Sequence, residues 1–273
     1  MKALQADGLS ERQACRLASC PRPTMQYKSR KKPDDTLVRD RLRCIAQERP
    51  RFGWRRIRIL LKRTGIVMNH KRLRRIYREE SLQVRPRKKR RVRLIRGNWA
   101  PAPVKLNEEW GLDFMEDRLL TKRKVRALTI EDRFSREGLA LDVDFSLTSR
   151  RVIRTLDDIA AVRGYPSRLR VDNGPENIAG VMLQWSVDHQ VDLHFIDPGK
   201  PYQNAWIESF NARVRDEFLN MHAFWNLPEM RDAADFWLVD YNEVRPHSSL
   251  AYLTPKEFVE SLATEPLPQL PAA

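Results

Sequence analysis

The sequence predicts an α/β protein, in which a mixed β-sheet flanked by helices follows a basic, helical N-terminal region. Two observations on this 273-residue chain support that prediction. Hydrophobic residues recur at helical spacing up to about residue 80. Beyond that point, the pattern predicts three consecutive strands followed by alternating helices and strands. Charge is divided as well: residues 1–98 hold 31 Lys and Arg against 8 Asp and Glu, and the remainder holds 20 against 28. The two parts therefore carry net charges of +23 and −8.

The first segment, residues 1–32, is predicted to be short, helical and DNA-binding-like. Ser10 and Gln13 have the spacing of a capping box in front of an apolar stripe. The prolines in residues 21–24 are expected to break that helix, and Met25 is expected to open a short second one.

Residues 33–84 predict three further helices with short turns between them. Apolar residues recur at helical spacing in each one, Arg49-Pro50 and Gly65 mark helix ends, and Asn69 can cap the third helix. Helices joined by short turns, with Arg and Lys on their open faces, are typical of a helix-turn-helix-like domain. A basic helical bundle that grips phosphates without reading bases remains an equal alternative.

A basic linker is predicted over residues 85–104. Its like-charge block is expected to lie extended along a phosphate backbone, so its DNA-binding candidates are Arg87, Lys88, Lys89 and Arg90. A basic region segregated in this way indicates a polyanionic partner such as DNA. A membrane surface is disfavoured because the apolar residues there fit a domain core.

Other sequence features exclude several classes of protein. There is no run of eighteen apolar residues and no signal-peptide pattern, so a cytoplasmic location is expected. The chain has three cysteines, Cys15, Cys20 and Cys44, and none of them forms a C-x-x-C pair. This argues against a disulfide framework and against a zinc site.

Residues 105–260 are predicted to form the main α/β domain, and residues 261–273 a flexible tail. Strands are expected at 110–115, 125–130, 139–145, 169–172 and 193–196. Helices are expected at 149–163, near 178–189 and around Glu208. Three strands followed by alternating helix and strand is the ribonuclease-H-like order.

Three carboxylates are the candidate catalytic and metal-binding residues of this domain. Asp113 lies within the first strand, Asp172 ends the fourth, and Glu208 lies on a helix. Together they can hold a pair of hard divalent cations, which clamp the attacking and leaving oxygens of a displacement at phosphorus. We interpret Asp113 as bridging both cations, with Asp172 and Glu208 holding one each. Asp117 is a weaker rival for the first position.

The helix around Glu208 predicts a polar face for DNA. On an α-helix, Asn204, Asn211 and Arg215 project within about 60° of Glu208. The opposite arc, predicted to pack on the sheet, holds Trp206, Ile207, Phe210, Val214 and Phe218. The candidate phosphate contacts are Lys200, Asn204, Asn211 and Arg215. His247 fits either a phosphate contact or a polar loop residue with a packing role, and the loop is favoured.

The three carboxylates and their neighbours resemble the DDE signature of retroviral integrases and bacterial insertion-sequence transposases. Most similar is the second-frame product of the insertion-sequence-three family, over roughly residues 10 to 258. The resemblance includes the motifs Leu128–Ile130, Phe134–Glu137, Asp172–Glu176, Pro198–Pro201, Gln203–Glu217, Asp240–Asn242 and Arg245–Leu250. Five positions depart from the family pattern: Arg133, Val171, Asn177, Tyr202 and Ala212.

The resemblance implies a DNA transposase that cuts insertion-element ends and joins them to target DNA. It implies two Mg²⁺ ions per site, replaceable by Mn²⁺, and a homo-oligomer in a synaptic complex. Fusion to, or association with, an upstream-frame product is also implied, as is a bacterial cytoplasm with the protein on the nucleoid. Two alternatives remain: a nonspecific ribonuclease-H-like nuclease, and a DNA-binding regulator or inactive copy.

Overall fold

The computed structural model describes residues 8–27, 35–84, 102–197 and 204–264. The first two helices are α1 (Glu11–Leu17) and α2 (Arg22–Gln26). The predicted capping box of Ser10 and Gln13 is confirmed at the start of α1. The first helix ends at Leu17, before the prolines of residues 21–24, as predicted, but the second helix begins at Arg22 and not at Met25, so Pro23 lies in the first turn of α2. A proline is tolerated there, since that position has no intrahelical partner for an N–H.

Three helices form a compact unit with a hydrophobic core of its own. They are α3 (Asp35–Glu48), α4 (Trp54–Arg63) and α5 (His70–Glu79). Asn69 caps α5 as predicted, its side chain accepting a hydrogen bond of 2.8 Å from the amide of Lys71. The shared core contains Val38, Leu42, Ile45, Phe52, Ile57, Leu61, Leu73, Ile76 and Tyr77. The predicted helices of residues 33–84 are thus packed together, with their basic residues outside.

The second part is built on a five-stranded mixed sheet. Its strands are β1 (Glu109–Arg118), β2 (Lys124–Asp132), β3 (Gly138–Asp144), β4 (Arg168–Val171) and β5 (Asp192–Phe195). The order across the sheet is β3-β2-β1-β4-β5, with β1, β2 and β3 antiparallel and β4 and β5 parallel to β1. This confirms the predicted ribonuclease-H-like fold class.

Helices cover both faces of the sheet. On one face, α6 (Ser149–Arg163) and α7 (Gly180–Asp188) pack through residues such as Leu156 and Trp185. On the other lie α8 (Ala205–Arg213), a π-helix (Val214–Leu219) and α9 (Leu227–Glu243). The chain continues through a 3₁₀ turn (Ser248–Leu250) to α10 (Pro255–Thr264). Across the described ranges, every helix lacks the length and apolar character that a membrane span requires.

Arginines of the α3–α5 unit dock it onto the α/β part. Arg49 at the end of α3 forms a bidentate ion pair with Asp240 of α9. Arg63 of α4 donates to Glu257 at 2.6 Å and to the carbonyl oxygen of Val244 at 2.9 Å. Several positive charges of the basic region therefore help to hold the two parts together.

Gly138 permits a close approach between β3 and the helices above it. A Cβ added there would lie 2.7 Å from Leu238 Cδ1 and 2.9 Å from Phe210 Cζ. We expect Gly138→Ala to lower the free energy of unfolding by about 1–3 kcal/mol through overpacking. Gly180→Ala is the matched control, since nothing lies within 4 Å of its added Cβ. Urea unfolding of both variants tests this, and equal stabilities would contradict it.

Candidate active site

Asp113 and Asp172 are brought together by two adjacent parallel strands. In the pairing of β1 with β4, Gly111 lies opposite Arg170. Continuing that register by two residues sets Asp113 opposite Asp172, which directly follows β4. Neighbouring strands are only about 4.8 Å apart. The sheet thus places both predicted aspartates at one position near its centre.

Asp113 is held on the face of the sheet that α8 covers. Its Oδ2 accepts a 2.7 Å hydrogen bond from the Asn211 amide, and Asn211 Oδ1 accepts one of 2.7 Å from Thr129. Burial, together with the negative charges of Asp172 and Glu208, raises the pKa of Asp113 to about 6. The three carboxylates therefore share one region of negative potential, which a cation would relieve.

Asp172 is fixed by the loop that follows it. Its Oδ1 accepts hydrogen bonds from the Gly174 amide at 3.1 Å and from Asn177 Nδ2 at 2.7 Å. Asn177 is fully buried, and its own Oδ1 has no hydrogen-bond partner among the residues that the structure describes. The Asn177 side chain therefore serves mainly to orient Asp172.

Glu208 projects from the first turn of α8 into solvent. It makes no hydrogen bond within the described part of the chain, so its carboxylate can change rotamer. The α-helical projection used for Arg215 does not hold, because the helix becomes a π-helix at Val214. Arg215 instead donates to Asp117 Oδ2 at 3.1 Å and to the carbonyl oxygen of Glu116 at 2.7 Å.

Two other residues of this helix differ from their predicted positions. Asn204 is only 4% exposed and lies against Gly111, so it does not share a solvent-facing surface with Glu208. The helix begins at Ala205, and Asn204 precedes it in a conformation outside the helical range. Trp206 is half-buried beneath the guanidinium groups of Arg133 and Arg136 and is not part of the stripe on the sheet. The remaining predicted stripe is buried: Ile207, Phe210, Val214 and Phe218.

The carboxylate oxygens of Asp113, Asp172 and Glu208 are ligands suited to a hard divalent cation, although the three groups are not close enough together to hold one in this conformation. Three carboxylates offer the oxygen ligands that Mg²⁺ prefers. Within the described ranges, however, no three Asp, Glu, His or Cys residues lie close enough together to hold a metal ion. Two carboxylates are fixed by hydrogen bonds and the third is exposed, so a rotation of Glu208 is the movement that closing the site requires.

Other acids near the sheet are committed to different partners. Asp117, the rival for the first position, is bound by Arg215, and Glu176 forms an ion pair with Arg126. The remaining predicted DNA contacts lie outside the described residues: Lys200, Arg87, Lys88, Lys89 and Arg90.

Three family models together match residues 32–90 and 103–255 of the chain. An HTH-like domain matches residues 32–90, and two integrase core domain models match residues 103–201 and 189–255. A 31.7 kDa protein of insertion element IS407 from Burkholderia multivorans is 43% identical over 250 residues, covering 92% of this chain and 90% of that protein. The chain belongs to the insertion-sequence-three family of transposases.

A second relative agrees with this membership, and one solved structure shares the fold. InsK of insertion sequence element IS150 from Escherichia coli K12, whose name describes it as a transposase, is 28% identical over 89% of this chain and 91% of its own length. A chain of the simian T-cell lymphotropic virus intasome, in complex with PP2A regulatory subunit B56 gamma, superposes with a TM-score of 0.54. That alignment has 20% sequence identity and covers 79% of this chain and 74% of the other, so it shows the fold alone.

Asn177 is a functional candidate that sequence reasoning missed. The family pattern has an aromatic residue at this position, and the asparagine was interpreted only as a departure. In the structure it supplies the amide that holds Asp172. Its position five residues after Asp172, within the turn that starts Asn173-Gly174, was the available signal.

A buried polar cluster lies beyond the other side of α8 and is centred on Tyr241. The His247 ring packs edge-on against Tyr241, and its Nε2 lies 3.2 Å from the Tyr241 carbonyl oxygen, to which it donates. Burial, together with the positive charge of Arg245, lowers the pKa of His247 to about 2. Glu131 shows the opposite shift, because burial raises its pKa to about 7. His247 is thus a neutral, packed residue, in agreement with the favoured interpretation.

His247 is expected to make stability fall as the pH is lowered. The unfolded chain binds a proton at His247 below about pH 6.5, whereas the folded chain does not until about pH 2. Between pH 7.5 and 5 the wild type should therefore lose about 2 kcal/mol more stability than His247→Gln. Urea unfolding of both proteins at the two pH values measures this. The contribution of Glu131 to the pH dependence of stability has the opposite sign, but it is present in both proteins and cancels in the comparison. If the stabilities of the two proteins changed equally with pH, His247 would not be a buried neutral residue.

Proposed function

We propose that the chain is a DDE transposase that cuts insertion-element ends and transfers the cut strands to target DNA. Asp113, Asp172 and Glu208 are its catalytic and metal-binding residues. One observation carries the proposal: two aspartates from adjacent parallel strands and a glutamate from the covering helix lie close enough that Asp172 and Glu208 raise the pKa of Asp113.

The roles of the three carboxylates follow from how each is held. Asp113 is fixed by Asn211 and Asp172 by Asn177 and Gly174, so both present their oxygens from rigid positions. Glu208 is exposed and makes no hydrogen bond among the described residues, so its carboxylate can rotate to complete the ligand set. Asp113, Asp172 and Glu208 would hold two Mg²⁺ ions, replaceable by Mn²⁺, which would supply activation of the attacking hydroxyl and charge stabilisation at the leaving oxygen. A nucleophilic serine or tyrosine is not required, since water or a DNA 3′-hydroxyl attacks.

DNA is the partner that the remaining features favour. The α3–α5 unit and the segment containing Arg87, Lys88, Lys89 and Arg90 both carry an excess of positive charge. Lys200 is proposed to contact phosphates beside the triad. Asn211 and Arg215 have other contacts than the phosphates predicted for them. Asn211 positions Asp113, and Arg215 binds Asp117 near the end of β1. Domain limits at residues 32, 84, 104 and 260 remain predictions.

We infer from the chemistry of transposition that the protein works as an oligomer. Two element ends must be joined to one target, so at least two protomers are expected in a synaptic complex. Association with, or fusion to, an upstream-frame product would add a second DNA-binding unit. The cytoplasm of a bacterial cell, on the nucleoid, is the corresponding location.

The deciding experiment is a strand-transfer assay with the full chain. A labelled duplex carrying the terminal repeat that flanks the gene is incubated with target DNA and Mg²⁺ or Mn²⁺, beside the Asp172→Asn variant. Joined product that needs metal and disappears in the variant supports the proposal. Cleavage without joining would indicate a nuclease, and DNA binding without any product, even when the upstream-frame product is added, would indicate a regulator.

A further inference from the structure

A small cavity lies across α8 from the triad. It has a volume of about 140 Å³, and α8 contributes Trp206, Ser209 and Arg213 to its lining. These residues project 100–160° away from Glu208 on an α-helix, so the helix separates the cavity from the triad. The volume holds several water molecules and is sufficient for one tetrahedral oxyanion.

Four arginines from separate parts of the chain converge on this cavity. Arg56 comes from α4, Arg136 from the turn between β2 and β3, Arg213 from α8 and Arg245 from the segment after α9. Glu131 is the one acidic residue among the lining residues. The lining therefore carries a surplus of positive charge in a largely buried place.

Nearby acids neutralise only part of that charge. Glu217, just outside the cavity, binds Arg245 through two hydrogen bonds of 2.6 Å and approaches Arg56 at 3.5 Å. In the described part of the chain, Arg136 and Arg213 form no direct ion pair, although Glu131 attracts both from a longer distance. Arg136 stacks on Trp206, and Arg213 donates to Ser209. Burial, together with the positive charges of Arg245 and Arg213, lowers the pKa of Arg56 to about 10.

The backbone also holds Arg136 in position at an energetic penalty. Arg136 has a φ of 60°, in the left-handed region that non-glycine residues rarely adopt. Its amide donates to the carbonyl oxygen of Asp132 at 2.9 Å, which fixes the turn. An arginine in this conformation, pointing into a cavity with three others, indicates a site built for an anion.

We propose that this cavity is a phosphate-binding pocket that holds one tetrahedral phosphate group. The four guanidinium groups provide charge and hydrogen-bond donors, and the hydroxyl groups of Ser209, Ser248 and Ser249 provide further donors. On the proposed function, on which this assignment of source rests, the phosphate belongs to a DNA backbone. Free inorganic phosphate has the same chemistry, and the experiment separates the two sources.

A phosphate bound here joins the two parts of the protein. Arg56 belongs to the α3–α5 unit and the other three arginines to the α/β part. The anion would add to the contacts that already join these parts, which include the pairs of Arg56 with Glu217, Arg49 with Asp240 and Arg63 with Glu257. DNA bound in the pocket would thereby strengthen the docking of the helical unit on the part of the chain that carries Glu208.

Two variants remove one pocket charge each, and a third is their control. Arg213→Gln shortens the donor on α8, and Arg136→Asn keeps a residue type that tolerates positive φ. Arg154→Gln removes one charge from the exposed side of α6, which packs on the other face of the sheet. Because the two pocket variants lie in different elements, misfolding of one, detected by circular dichroism, leaves the other as the test.

The first measurement is the affinity of the full chain for inorganic phosphate at constant ionic strength, by calorimetry. We expect Arg213→Gln and Arg136→Asn to weaken it about tenfold or more, since each removes a hydrogen bond to a charged group. Arg154→Gln should bind as the wild type does. No saturable binding by the wild type, or equal binding by all four proteins, would overturn the pocket.

The second measurement identifies the source of the phosphate. If it is DNA, Arg213→Gln should weaken duplex binding more than Arg154→Gln, and inorganic phosphate should compete with DNA at fixed ionic strength. Unchanged DNA binding with lost phosphate binding would overturn the DNA source and leave a free-phosphate site. Absence of strand transfer by a wild type that binds phosphate would instead count against the proposed function, not against the pocket.

Discussion

Asp113→Asn is expected to reduce metal-dependent strand transfer by roughly a thousandfold or more, the order of effect of removing a group that stabilises transition-state charge. The substitution removes a negative charge at the point where β1, the loop after β4 and α8 meet. Asparagine keeps the size of the side chain, so the fold and the binding of DNA should be retained. The measurement is the rate of joined product with Mg²⁺, alongside DNA affinity.

Asp117→Asn provides the matched control on the same strand. It makes the same chemical change four residues away, where the carboxylate is bound by Arg215. Strand transfer by this variant should stay within about threefold of the wild type, because a partly exposed ion pair contributes little. A loss in Asp117→Asn together with full activity in Asp113→Asn would move the first carboxylate of the site to Asp117.

Glu109→Gln is expected to lower the free energy of unfolding by about 3–5 kcal/mol, as when one partner of a buried ion pair is removed. Glu109 is 1% exposed at the start of β1 and accepts hydrogen bonds from Arg133, Arg168 and Arg170. Its neutralisation leaves buried guanidinium groups without their shared carboxylate. It also loosens the pairing of β1 with β4 that sets Asp113 beside Asp172. Urea unfolding at pH 7.5 measures the effect.

Asp192→Asn is the control, because Asp192 binds the same Arg168 from the surface. That ion pair is 3.5 Å long and the Asp192 side chain is 68% exposed. The expected change in stability is within about 0.5 kcal/mol. If both variants lost the same stability, burial of Glu109 would not be what makes its ion pairs strong.

The fold could be predicted from the sequence because its strands are short, apolar and separated by recognisable turn segments. Strand periodicity located all five strands within three residues at each end, and Ser149 and Arg163 were the correct limits of α6. Asp113, Asp172 and Glu208 could be selected as candidates because each stands in a local context of its own. Their proximity then followed from the order of the elements.

Features that depend on packing between distant segments could not be predicted. Periodicity treats residues 204–218 as one α-helix, yet a π-helix begins at Val214 and redirects Arg215 toward Asp117. Burial of Asn204 depends on Gly111, 93 positions earlier in the sequence. Likewise, the arginine-lined cavity joins α4 to the segment after α9, and no local pattern relates those residues.

The arrangement of the parts along the chain bears on the fate of damaged gene copies. The α3–α5 unit packs around its own core, whereas Glu208 arrives only on the helix after the last strand. A copy interrupted by a stop codon before residue 208 would still encode the unit expected to occupy DNA, without the means to cut it. We expect such fragments to compete with intact protein for element ends. Decay of the gene would then turn a mobile element's own product into its repressor.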